Sequence, residues 1–148
     1  MYCRITAIAA ALSVLALGSP LITACANPLA TNSYDSGIEK GAQGNYQGAI
    51  ADFTKAIENN PQERYAYLNR GVAKAKSEDY QGAVADHTKA IEIYPGFVSA
   101  FEERGIAKES LNDLYGACLD WRMAEDLFGS GERDGGGKDS IEWVKKKC

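Results

Sequence analysis

The residues of this 148-residue chain whose types could do chemistry are one histidine, four cysteines, a glycine-rich run ending in lysine, and acids set at equal intervals. Histidine titrates near neutral pH, so any general-base or triad mechanism would have to use His87. Asp52, Asp86 and Asp120 recur every thirty-four residues, an array that could bind a metal or move protons, and Arg70 and Arg104 share the interval. The run from Gly129 to Lys138 invites a phosphate-loop reading. Each has a plainer explanation. Phe53, His87 and Trp121 make one column of that interval, so His87 reads as a core ring with its nitrogens satisfied inside. Aspartates and arginines repeating in step read as an ion pair between helices, formed once per unit. Counting back from Lys138, Glu132 stands where a phosphate loop needs its first glycine, and Asp139 stands where Ser or Thr should hold magnesium. No strand precedes the run, which reads as a flexible connector. Two late cysteines thirty apart with a single histidine do not match structural zinc spacing. No catalytic residue, metal or cofactor is expected, and the chain is not read as an enzyme.

The interval itself is the larger signal. Gly37, Gly71 and Gly105 are spaced by thirty-four, as are Ala49, Ala83 and Ala117, and Ala56, Ala90 and Ala124. Tyr46-Gln47-Gly48-Ala49 recurs as Tyr80-Gln81-Gly82-Ala83 and, more loosely, as Leu114-Tyr115-Gly116-Ala117. Pro61 and Pro95 close the first two units. This period and these columns resemble the tetratricopeptide repeat family over about residues 30–131. The resemblance implies an all-α fold: an α-α superhelix of three hairpins, right-handed, with a concave inner wall. The chain departs from the pattern at Ser33, where an aromatic is expected, at Gly129 in place of a closing proline, and at Leu114 in place of a tyrosine.

The columns also follow from packing. Tyr67, Gly71 and Ala75 lie four apart on one helical stripe, and Ala83, His87 and Ala90 supply the matching stripe of the partner helix. Small residues flank one ring, so the backbones approach closely around a large knob. Gly44-Asn45 and Ser77-Glu78-Asp79 supply the turns within hairpins. Asn60-Pro61 and Tyr94-Pro95 end the second helices, because the residue before proline is biased away from helix. A unit of this kind cannot bury its apolar stripe alone and needs stacked neighbours. The last one needs a cap. Ile141, Trp143 and Val144 can supply it while Lys145, Lys146 and Lys147 stay in water.

The family resemblance implies where a partner binds: the first helix of each repeat lines the groove. Carried over, this gives Tyr34 and Ile38 from the first unit, Tyr65, Leu68, Asn69, Val72 and Lys76 from the second, and Glu102, Ile106 and Glu109 from the third. Apolar contacts with an acidic end imply a modestly hydrophobic, basic segment as client. Chaperone-binding members clamp a C-terminal carboxylate, but of the clamp positions only Asn69 matches; Tyr34, Ile38, Ser99 and Glu103 fill the others, and Glu103 would repel a carboxylate. In the antiparallel stacking that the resemblance implies, Cys118 and Cys148 should meet and form a disulfide, stabilising by roughly 3–4 kcal/mol on the chain-entropy estimate.

Composition bounds the rest. A net charge of −4 argues against a nucleic-acid partner, which selects a basic face. Arg4, the apolar run Ile5 to Leu17 and the break Gly18-Ser19-Pro20 form an export signal, too short to cross a membrane. Two processing routes fit it. Ile22-Thr23-Ala24-Cys25 resembles a bacterial lipobox, which would put lipid on Cys25; Ala24-Cys25-Ala26 also suits ordinary cleavage before Asn27. The organisation expected is an export signal at 1–25, a tether at 26–33, and repeats over 34–131 (about 30–63, 64–97 and 98–131). A glycine-rich loop and capping helix follow at 132–148. The function expected is a protein-binding adaptor of the cell envelope or periplasm. It touches a membrane only through lipid on Cys25. The alternative is a self-associating assembly element, a homo-oligomer without a peptide client.

Overall fold

A computed structural model describes residues 28–130 and 138–148. Among the described residues there are seven helices and no strand: α1 (Pro28–Ala42), α2 (Tyr46–Asn59), α3 (Arg64–Lys76), α4 (Tyr80–Ile93), α5 (Val98–Ser110), α6 (Leu114–Ser130) and α7 (Lys138–Lys147). Tight turns fold α1 onto α2, α3 onto α4 and α5 onto α6 as hairpins. Each second helix packs on the next hairpin, and α1 touches α3 as α3 touches α5, so the first helices run side by side along one wall. The fold is an all-α solenoid. The export signal and Cys25 lie outside the described residues. One boundary moves: residues 28–33, expected as tether, form the opening turns of α1. Pro28 is suited to that first turn, where its missing N–H costs nothing.

Local chemistry explains the repeated motif. Asn45, Asp79 and Asp113 precede α2, α4 and α6, and each side chain accepts the amide of the glycine three residues on, Gly48, Gly82 and Gly116, at 2.9–3.0 Å. A Cβ at any of those glycines would collide with the capping side chain. The turn before each cap contains a left-handed residue in one column: Gly44 (φ 78°), Glu78 (φ 66°) and Asn112 (φ 63°).

Inside each hairpin a ring sits directly on a glycine. A Cβ on Gly37 would lie 2.7 Å from Phe53, and one on Gly71 would lie 2.5 Å from His87; Gly105 and Trp121 repeat the arrangement. All three rings are buried, and a side chain like Phe53 stabilises by about 1.5–3 kcal/mol when removed from water. Tyr34, one residue beyond Ser33, lays its ring edge against Phe53 at 5.7 Å. The Trp121 N–H donates to the Glu102 carbonyl at 3.4 Å. His87 differs from the expectation of a satisfied ring, for neither of its nitrogens has a hydrogen-bond partner. The slot seats an aromatic ring directly against the backbone of Gly71.

The recurrent acids and bases form a network between helices. Arg70 holds Asp86 through two hydrogen bonds of 2.7 and 2.8 Å and donates to Thr54 of the preceding hairpin at 3.1 Å. Arg104 repeats this on Asp120 and Thr88. Lys74 and Lys108 complete the pairs at 2.9 and 2.8 Å. In the first hairpin Ser36 replaces the arginine, and Asp52 accepts from Ser36 and Lys40, each at 2.6 Å. Those donors hold its carboxyl below the usual carboxylate range. The buried aspartates are thus committed to joining helices. At the far end Trp143 of α7 packs on Trp121 at 5.4 Å, and a disulfide joins Cys148 to Cys118.

Candidate functional site

The wall formed by α1, α3 and α5 carries Ile38, Val72 and Ile106 in one column of the thirty-four-residue period. Ile38 is exposed, and Val72 and Ile106 are half-buried. Between α1 and α3 the wall opens into a pocket of about 180 Å³ lined mainly by apolar atoms of Ile38, Val72, Ala73, Tyr46 and Phe53, with Gly37, Gly41 and Asn69 completing it. Gly41 makes room here, standing where the later repeats carry Ala75 and Glu109.

The wall's chemistry changes along its length. Tyr34 and Ile38 are matched in α5 by Glu102 and Ile106, and Asn69 by Glu103. Burial pushes the Glu103 carboxyl above its ordinary range; Lys76 pulls it down, and Glu102 pushes it further up. The groove is therefore apolar at the α1 end and acidic at the α5 end. Asn69 is already engaged, donating its amide to the Tyr34 hydroxyl at 2.8 Å. Burial is also the main cause that raises the Tyr34 phenol.

The ten residues expected to line the groove do not act alike. Ile38, Asn69 and Val72 come together in the pocket, and Tyr34 supports it through Asn69 and Phe53. Leu68 instead packs against Ala90, Phe97 and Ala100, where it joins the second and third hairpins. Tyr65 leans edge-on against Phe97 at 5.2 Å, under the Arg64 guanidinium at 4.6 Å, in a cluster with Tyr94. Glu109 pairs with Lys147 of α7, so it anchors the cap. Lys76 and Glu102 remain beside Glu103, and Ile106 continues the wall. Leu68, Tyr65 and Glu109 are thus also engaged by neighbouring elements, which spacing along one helix does not reveal. Tyr46 and Gly41 were missed, although the Gly-for-Ala difference at position 41 was a readable sign of open space. Among the described residues, no group of His, Cys, Asp and Glu is arranged to hold a metal ion.

Residues 34–96 match the tetratricopeptide repeat family model. No curated protein matches the chain. Among solved structures, the TPR domain of Arabidopsis OM64 superposes with a TM-score of 0.71 at 27% identity, covering 81% of this chain and 97% of that one. The second TPR domain of human RPAP3, in complex with the HSP70 peptide SGPTIEEVD, gives 0.70 at 27% identity over 80% of this chain and 93% of that one. The second TPR of Spaghetti (RPAP3), bound to the HSP90 peptide SRMEEVD, gives 0.65 at 29% identity over 68% and 93%. The third hairpin repeats the columns of the matched span, ring on glycine and arginine on aspartate alike, so residues 34–96 carry tetratricopeptide repeats and the three hairpins together have the tetratricopeptide repeat fold.

Proposed function

We propose that this chain is a protein-binding adaptor whose inner wall docks a peptide or a segment of a neighbouring subunit. The observation that carries this reading is the open apolar pocket at Ile38, Asn69 and Val72, which continues toward the acidic pair Glu102 and Glu103. An apolar anchor side chain fits the pocket, and a basic residue further along fits the acids. The human RPAP3 and Spaghetti domains bind chaperone peptides ending in Glu-Glu-Val-Asp. That chemistry does not transfer. The clamp positions here are Tyr34, Ile38, Ser99 and Glu103, and the one matching residue, Asn69, spends its amide on Tyr34. The client is a neutral-to-basic, modestly hydrophobic segment. Three hairpins offer little area, so affinity is moderate.

The adaptor works in the cell envelope, exported by its N-terminal segment and tethered by lipid on Cys25. The Cys118–Cys148 bond supports an oxidising compartment, where such bonds persist.

Calorimetric titration of the full oxidised chain with two peptide sets tests the reading. One set carries a Leu or Met anchor beside lysine, the other ends in Glu-Glu-Val-Asp. The first should bind, and Ile38→Glu/Val72→Glu should abolish binding with helicity unchanged. Tighter binding of the acidic-ended set would overturn it. Mass analysis of the exported N-terminus decides the lipid.

A further inference from the structure

The outer helices carry a difference that hairpin packing does not require. Gln47, Ala51 and Lys55 of α2 correspond, at the thirty-four-residue interval, to Gln81, Ala85 and Lys89 of α4, and all six are exposed. The equivalent residues of α6 are Tyr115, Leu119 and Met123, and they are exposed too, Tyr115 by 77% and the other two by 46% each. A spacing of four places them on one stripe. Leu111 and Leu114 extend it at the helix start. Two hairpins thus present polar or small side chains to water where the third presents large apolar ones, and a contiguous exposed apolar patch marks an interaction surface.

The stripe borders a notch of about 340 Å³ formed by Leu114, Tyr115, Leu119, Arg122, Lys147 and the Cys118–Cys148 bridge. Its charge is as uneven as its hydropathy. Arg70, Lys74, Arg104 and Lys108 are each held by an aspartate. Arg122, Lys145 and Lys146 are exposed and make no ion pair among the described residues. Arg122 stands where the earlier hairpins carry Thr54 and Thr88. Of the α6 and α7 cations, Arg122 and the Glu109-paired Lys147 line the notch itself, so its rim is basic in a chain of net charge −4.

We propose that the outer face of α6 is a second docking surface, and that it takes an acidic amphipathic segment of a partner protein. One apolar side chain of the partner fills the notch beside the disulfide, others lie along Leu119 and Met123, and its carboxylates meet Arg122 and Lys147 at the notch. A second copy of this chain, pairing the stripe with itself, is the competing occupant that the oligomeric state tests. An anionic membrane fits less well because the face is notched rather than flat. The surface is separate from the inner wall, so a client in the groove and a partner on α6 can be held together.

The test uses the full oxidised chain and a fluorescent helical peptide with Leu at every third or fourth position and Glu between. The triple variant Tyr115→Gln/Leu119→Ala/Met123→Lys writes the second hairpin's own residues onto the third, so the fold has its own precedent for it. The acidic peptide should bind saturably. Affinity should fall at least tenfold in the triple variant and severalfold in Arg122→Glu, and stay unchanged in Ile38→Glu/Val72→Glu. A lysine-for-glutamate version of the peptide should bind at least tenfold more weakly. Absence of saturable binding, equal binding of both peptides, or loss of binding in the groove variant overturns the proposal. So does light scattering that finds a dimer dissociated by the triple variant. Stripe-dependent sedimentation with phosphatidylglycerol vesicles in place of peptide binding does the same.

Discussion

Replacing His87 with phenylalanine should stabilise this protein, and stabilise it most in acid. His87 is fully buried on Gly71, and both ring nitrogens lack partners. An unsatisfied buried polar group costs about 1–3 kcal/mol. The first hairpin already seats Phe53 on Gly37 in the same geometry, so a six-membered ring has a precedent in this column. Some crowding will offset the gain, since added atoms in a packed core are themselves costly. A net increase of about 1–2 kcal/mol at pH 7.5 follows. The pH dependence is sharper. Burial, first, with Arg104 and Lys74 nearby, lowers the imidazole to about 4 against Asp86 and Asp120, which act the other way. The unfolded histidine titrates near 6.5, so between those values the unfolded chain binds the extra proton, and stability falls as pH falls. At one pKa unit per 1.36 kcal/mol, moving from pH 7.5 to 4.5 costs the native protein about 2–3 kcal/mol through this residue alone. His87→Phe removes that slope, and the aspartates are common to both proteins. Urea unfolding of each, followed by far-ultraviolet circular dichroism at both pH values, measures the difference. The variant's advantage should widen by about 2–3 kcal/mol on acidification. An advantage that does not change with pH, or a variant weaker than the native protein at pH 7.5, would refute the reasoning.

Three further outcomes follow from the same contacts. Cys118→Ser/Cys148→Ser opens a loop with a sequence separation of 30 and should lower stability by about 3–4 kcal/mol on the chain-entropy estimate, with α7 losing amide-exchange protection first. Arg70→Met leaves buried Asp86 with Lys74 alone and an orphaned hydrogen-bond position at Thr54. It should cost about 2–3 kcal/mol in urea unfolding, somewhat less than breaking a buried pair outright. Glu78→Gly relieves a left-handed backbone at φ 66°, which Gly44 occupies in the first hairpin. Thermal unfolding should report a gain of about 1 kcal/mol, and an unchanged midpoint would argue against strain there.

Most of the fold was legible because a repeat advertises itself. Once Gly37, Gly71 and Gly105 fall in one column and Phe53, His87 and Trp121 in another, a ring-on-glycine contact between paired helices follows from size alone. Arg70 and Asp86 repeat in step sixteen residues apart, and that interval spans one hairpin turn. How the candidate residues are engaged was less legible. Ile38, Asn69 and Val72 share a pocket, but Leu68 and Tyr65 turn to the next hairpin and Glu109 to the cap. A helix exposes neighbouring residues to different partners within one turn, and a spacing rule cannot say which partner is there.

Periodicity, small residues opposite rings, capping side chains before glycine and the two prolines are one-dimensional facts, and they were enough to determine a stack of helical hairpins. Each depends on contacts within a unit or between adjacent units, whose geometry is set by the helix repeat. What only the tertiary structure decided is which polar groups remain committed and which remain available. Asn69 is spent on Tyr34, His87 is buried with nothing to bond, Glu103 is pushed up by burial, and Arg122 stands in water beside an apolar stripe. Those outcomes depend on distances across elements far apart in the chain, where a shift of one ångström decides whether a hydrogen bond exists.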